Sequence, residues 1–474
     1  MKFFFLVSIL AFNVFAQEKQ DHQIILLNGG AELLSNQPRY YENIKAMYEA
    51  FRSNSLPSNH ITVLYGSGQV QDTAQGNEAL PVLTPLKPVE LKLEPPKLLA
   101  STSALGSYKP KTESLFKVEP LPEIKLTSFK APTEPQRVYS NKELFNGEER
   151  ELDGEAKKEK IKAKIAELKT KLKPGDDLTL FITDHGDRDE EKQMSEVNLW
   201  GEKISTAELG EILKEIPETS QIRIITNICY GGGLTELTSK NICVFSNQES
   251  QNPSYSENKD VDLYAQNFAY ALKNRLDADY NGTSTYLDAH EYAVSLDNKR
   301  NRAKNSLDWF LDKHKDKFQK AKTSADLVCE EPNQNSSSLD ELSSTLNSIK
   351  KQTHSEITEE RKKFLTGRLQ QKLTPFINSS PEEKLEELEK KISDVKKTME
   401  TAANDWDALP EAEKTNQTEK HNSESEALKK QLTALETEEF HLKKLELELN
   451  FIKNADESLI SEYENIRKCL EYAY

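Results

Sequence analysis

Short apolar runs alternate with stretches of helical spacing from Asp21 to about Gly68 and again from Glu155 to about Leu311. Gln23-Ile-Ile-Leu-Leu-Asn28 reads as a buried strand ending at Gly29-Gly30. Tyr40 to Phe51 has helical spacing, and Ile61-Thr-Val-Leu-Tyr65 reads as a second strand. The alternation returns from Glu155. Ala156 to Leu172 is a Lys-rich helix stopped at Pro174-Gly175, Leu178 to Thr183 a strand and Thr206 to Ile216 a helix. Ile222 to Ile228 and Ile242 to Ser246 are strands, followed by a helix from about Val261 to Leu276. Strand, helix, strand in this order predicts an α/β fold with a parallel sheet of at least five strands and right-handed crossovers.

Three segments depart from this pattern. Lys2, the apolar run Phe3 to Phe12 and the small residues of Val14-Phe15-Ala16 read as a signal peptide over residues 1–16, cut before Gln17. No later window holds the ~20 apolar residues of a membrane span, so the mature chain is expected to be exported, to a bacterial periplasm or the exterior. Ten of the 19 prolines lie between Pro81 and Pro135, so residues 69–140 read as an extended or disordered insertion. From residue 335 to the end there are one glycine and three prolines. Leu428, Leu432, Leu435, Leu442, Leu445, Leu449 and Ile452 form a broken a/d repeat there, which predicts a coiled-coil or helical-hairpin region over 335–474. The α/β domain then occupies 17–330.

Composition narrows the function classes. With 63 Lys+Arg against 79 Asp+Glu, a net charge of −16 is wrong for a nucleic-acid binder, whose affinity rests on neutralising phosphates. It is equally poor for an anionic membrane surface. Four cysteines in 474 residues cannot build a disulfide scaffold. Cys243 reads as buried and inert. Cys329 and Cys469 bracket the helical region, and an oxidising compartment would let them pair.

The chemistry concentrates at two strand ends. Leu178 to Thr183 runs into Asp184-His185-Gly186, and Ile222 to Ile228 runs into Cys229-Tyr230-Gly231-Gly232-Gly233. In open α/β sheets ligands bind at that edge. An imidazole beside a thiol assists its deprotonation and can then protonate a leaving amine. The amides of Gly186 and Cys229 would stabilise an oxyanion, worth ~3–4 kcal/mol per donor. A buried structural Cys and a loop His are the alternative.

A strand ending in His-Gly and a later strand ending in Cys resemble the signature shared by legumains, caspases, gingipains and related cysteine peptidases. The likeness is greatest to the legumain (asparaginyl endopeptidase) branch. Ser35-Asn36-Gln37-Pro38-Arg39-Tyr40-Tyr41, Gly175-Asp176-Asp177, Thr183 to Gly186 and Phe245 to Tyr255 resemble further motifs of that branch. The resemblance covers about residues 22–72 and 150–300.

It implies a caspase/legumain-like three-layer sandwich and an endopeptidase acting on polypeptides through His185 and Cys229, with no cofactor needed for catalysis. It also implies a pocket for the residue before the cut built by Arg39 and Asp262, or its neighbour Asp260. Neutral Asn227 stands where legumains carry an acid, so either Asn or an acidic side chain could be preferred. Ser254 and Tyr255 would border the substrate, and Asn28 loosely matches the asparagine that orients the histidine. A non-catalytic relative, using its helical region to bind a protein partner or itself, is the competing function.

Asp277, Asp279, Asn281, Thr283, Thr285 and Asp288 fall at positions 1, 3, 5, 7, 9 and 12 of an EF-hand-like loop, with Gly282 at position 6. A structural Ca²⁺ site is expected there, Asp288 standing where a bidentate Glu is usual; a turn that binds nothing is the alternative.

Overall fold

Alternate residues of the central strands face opposite sides of one sheet, and each side has its own core. A computed structural model of the chain describes residues 21–32, 35–73, 139–189, 194–256, 261–278, 282–297, 300–318 and 381–474. The expected signal peptide, most of the proline-rich insertion, Asp260, Asp279, Asn281 and Cys329 lie outside these residues.

Strands β1 (His22–Asn28), β2 (Ile61–Tyr65), β3 (Asp177–Thr183), β7 (Gln221–Asn227), β8 (Ile242–Ser246) and β9 (Lys304–Asn305) form the main sheet. Their order is β2-β1-β3-β7-β8-β9, parallel except for β9 against β8. Ile24, Leu26, Phe181, Ile225 and Phe245 face one core with α1 (Pro38–Ser53), α5 (Leu263–Asn274), α6 (Tyr286–Leu296) and α7 (Ser306–Phe318). Ile25, Leu27, Leu180, Ile224 and Val244 face the other, with α3 (Lys158–Lys171) and α4 (Thr206–Leu213). The protein is therefore α/β, with helices on both faces of a mostly parallel sheet. Such strands are buried on both sides, which is why they read as unbroken apolar runs.

Between β3 and α4 the chain forms an antiparallel sheet of β4 (Gly186–Asp189), β5 (Met194–Leu199) and β6 (Glu202–Ser205). The apolar pattern did not predict it. Only Val197, Leu199 and Ile204 enter the core, and polar residues separate them. A single-turn helix, α2 (Asn141–Leu144), precedes α3.

Residues 335–380 of the expected helical region lie outside the described residues; the described part is helical, as α8 (Pro381–Ala408), α9 (Glu411–Asn454) and α10 (Glu457–Leu470). Pro410 separates α8 from α9, as a residue without an amide donor should. α8 and α9 pack along one another, burying Leu388, Ile392, Leu442 and Leu445. α10 is not part of an appendage. Leu459, Tyr463, Ile466 and Leu470 enter the core shared with α1 and α5 to α7.

The disulfides also differ from expectation. Cys469 bonds to Cys243, not to Cys329. Because α10 packs on β7 and β8, it sets Cys469 against β8, so Cys243 is bonded and not an inert thiol. Two cysteines bracketing helices in sequence need not be neighbours in space.

At the amino-terminal edge of the sheet, Arg223 and Asp177 are fully buried and paired, Nη1 to Oδ1 at 2.7 Å. The end of the chain closes over them: Arg223 Nε donates to the Cys469 carbonyl at 3.1 Å, and its guanidinium lies 3.8 Å from the Tyr472 ring centroid.

His22 Nε2 is 3.1 Å from Asp177 Oδ1. Burial lowers the His22 pKa from 6.5 to about 4, against the pull of Asp177. Between those values the unfolded chain binds a proton that the folded chain refuses, so acid favours unfolding. Stability is expected to fall by on the order of 2–3 kcal/mol from pH 7 to 4 on this account. Thermal melts of wild type and His22→Gln check it: the variant should lose part of that slope, and an unchanged slope would assign the acid sensitivity elsewhere.

Candidate functional site

The carboxyl ends of β3 and β7 lie side by side, Thr183 opposite Asn227. β3 continues through Asp184 to His185, and β7 through Ile228 to Cys229. A Cβ on Gly186 would lie 2.2 Å from the Cys229 carbonyl oxygen, so only glycine lets the His-Gly main chain run against the cysteine's. The two strand ends singled out in sequence therefore meet.

His185 is half-buried, and its Nε2 lies 3.0 Å from the Ser35 carbonyl oxygen. A carbonyl only accepts, so this assigns the proton to Nε2 and leaves Nδ1 of the neutral ring as the base. Tyr40 packs edge-on against the ring, centroids 5.4 Å apart. Burial lowers the His185 pKa from its ordinary 6.5; the Ser35 hydrogen bond opposes this, and Arg39 adds to it. Cys229 is the one free cysteine among the described residues and is partly exposed. Its Sγ lies 3.5 Å from Ser254 Oγ and 4.0 Å from the Ser254 carbonyl oxygen.

Arg39, in the first turn of α1, donates to Ser256 Oγ at 2.7 Å and to the Tyr40 hydroxyl at 3.1 Å, with Nε 3.7 Å from Asp262 Oδ2. The same Asp262 oxygen accepts from Asn227 Nδ2 at 3.0 Å and Asn43 Nδ2 at 2.9 Å. Burial raises the Asp262 pKa, opposed by Arg39, Asn43 and Asn227. Arg39, Asn227 and Asp262 thus form one network beside the His-Cys step, and Ser254 borders it. Tyr255 sits between Ser254 and Ser256, its ring under the Arg300 guanidinium at 4.4 Å.

Asn28 is placed otherwise than expected. It is fully buried at the end of β1 and donates to Asn36 Oδ1 at 2.8 Å, while the His185 ring donates to the Ser35 carbonyl. Asn28 fixes the loop that carries Ser35, one step removed from the imidazole. Asp184 does the same from the other side. Its carboxyl accepts from the amides of Gly30 at 2.6 Å and His185 at 2.5 Å. Burial pushes its pKa up to about 8 despite those donors.

Sequence reasoning missed Ser35, Asn43 and Ser256 as site residues, and Asp184 as more than part of a motif. Ser35 acts through its main chain and so leaves no side-chain signal. Asn43, four residues after Arg39, lies one helical turn along the same face of α1, a spacing that could have been noticed.

In the EF-hand-like loop, Asp277 Oδ2 accepts from the Gly282 amide at 2.7 Å, and Gly282 has φ +89°, as a sharp turn there requires. Thr285 caps α6 in a capping box with Asp288. Asp288 Oδ2 takes the Thr285 amide at 2.8 Å and hydroxyl at 2.6 Å, and Oδ1 takes the Ala278 amide at 3.1 Å. Thr283 is described as irregular chain. Among the described residues no group of three or more His, Cys, Asp or Glu is placed to hold a metal. No described helix is long and apolar enough to cross a membrane.

Compared with known proteins, the chain matches no protein-family model and no curated protein.

Proposed function

We propose that the protein is an exported cysteine endopeptidase of the caspase/legumain type. The observation that carries the reading is the packing of the His185-Gly186 main chain against Cys229, with the imidazole held through Nε2. Cys229 gives its thiol proton to His185 Nδ1, and the thiolate attacks the substrate carbonyl. The amides of Gly186 and Cys229 take the oxyanion. Collapse expels the amine, which leaves with the proton from His185, and a thioester remains. Water, deprotonated by the same imidazole, releases the acid and restores the thiol.

The pocket beside the dyad supports asparagine before the cut. Arg39 offers donors and Asp262 an acceptor, matching both ends of a carboxamide. An acidic side chain would meet the Asp262 carboxylate as well as Arg39. Peptide-library hydrolysis tests this. Asparagine substrates should be cut best, and Arg39→Ala should lower their kcat/KM about 100-fold, the scale for leaving a substrate polar group unpaired. Preference for lysine or arginine, or indifference to Arg39→Ala, would overturn the pocket assignment. Absence of any hydrolysis that depends on Cys229 would leave the non-catalytic platform as the reading.

The Cys243–Cys469 disulfide supports export, since such bonds persist in oxidising compartments. The Gly282 turn and its Asp277 contact support a structural Ca²⁺ site; a melting temperature indifferent to calcium and to chelator would remove it.

A further inference from the structure

We propose that Asn301 is a positioning residue, its carboxamide clamping the Tyr255 main chain so that Ser254 and Ser256 face Cys229 and Arg39. This rests on the peptidase reading. Asn301 is buried, 6% exposed. Its Oδ1 accepts from the Tyr255 amide at 2.7 Å, and its Nδ2 donates to the Tyr255 carbonyl at 2.9 Å and to Asp297 Oδ2 at 3.0 Å. A carboxamide presents one donor and one acceptor side by side, like a peptide group, so this pair imitates a rung of a β-ladder. Gln248, fully buried just after β8, holds the chain two residues before Tyr255 by donating to the Pro253 carbonyl at 2.8 Å.

The consequence lies in which groups remain for substrate. Both main-chain hydrogen-bonding groups of Tyr255 are engaged by Asn301. The residues on either side carry the contacts that matter: Ser254 with the Cys229 sulfur, and Ser256 with the Arg39 guanidinium. Asn301 touches neither the dyad nor the pocket residues in any described hydrogen bond. It sets the distance between the nucleophile's neighbour and the pocket's, and so the register of a bound peptide.

The test uses the full chain in a Cys329→Ser background, so that alkylation reports Cys229. Asn301→Asp keeps the shape and the acceptor but turns a carboxylate toward the Tyr255 carbonyl and Asp297; Asn301→Ala removes both bonds. Both variants should raise KM for the best peptide substrate roughly ten- to hundred-fold, the scale of a small misplacement at a reacting centre. The rate at which iodoacetamide alkylates Cys229 should stay within about two-fold, because β7 carries the cysteine and the Ser35 carbonyl holds the imidazole without Asn301, and only the long Sγ contact to Ser254 shifts. Unchanged KM in both variants would overturn the proposal. So would a parallel fall in alkylation and hydrolysis, which would make Asn301 a general structural residue. A wild-type protein whose Cys229 alkylates but which hydrolyses no peptide would overturn the peptidase reading itself, and this proposal with it.

Discussion

Exchanging Cys229 for alanine is expected to lower peptide hydrolysis by at least about 10⁴-fold in kcat/KM, leaving the fold intact. The side chain is partly exposed, and its Sγ contacts Ser254 at 3.5 and 4.0 Å, so its loss removes little packing. His185→Ala should cost a similar factor, and the double variant little more than either single one, because the two groups act as one device. The imidazole sits below its ordinary pKa of 6.5 through burial, so it stays neutral and able to accept a proton at pH 7. Initial-rate measurements on the three variants with one peptide substrate decide the matter. Losses that multiply instead of saturating would show two independent contributions and no dyad.

The largest stability effect is expected at the opposite edge of the sheet. Arg223→Met removes the cationic partner of Asp177 and leaves its fully buried carboxylate beside His22 alone, which should cost about 3 kcal/mol. The melting temperature should fall by about 5 °C. Adding Asp177→Leu should recover much of the loss, since two apolar side chains need no partner. The Tyr472 ring would then pack on an apolar surface in place of a guanidinium. A double variant as unstable as the single one would show that this edge depends on the arginine's other bond, to the Cys469 carbonyl. Chemical denaturation of wild type and both variants distinguishes these outcomes.

Much of the architecture was legible because parallel strands buried on two faces must be apolar throughout. β2 and β8 fell at the positions read from the pattern, and β1, β3 and β7 within one residue. β4 to β6 escaped because a sheet with one wet face carries Glu, Lys and Asn between its few buried residues. The two-residue β9 is too short to leave any pattern.

The candidate site divides in the same way. His185 and Cys229 announced themselves through their own chemistry at strand ends, whereas Arg39 and Asp262 were suggested only by the resemblance to legumains. Ser35 contributes a carbonyl, which every residue has. Asn301 meets Tyr255 from 46 positions along the chain, and no local rule links them.

By itself the sequence determined the strand-helix alternation, and hence which ends of β3 and β7 would carry the histidine and the cysteine. Apolar periodicity and side-chain chemistry are local properties of the chain. Tertiary structure alone decided that Cys469 bonds to Cys243, that the last helix belongs to the core, and that a main-chain carbonyl fixes the imidazole. Those contacts join residues far apart in sequence, and their partners are chosen by packing geometry rather than by composition.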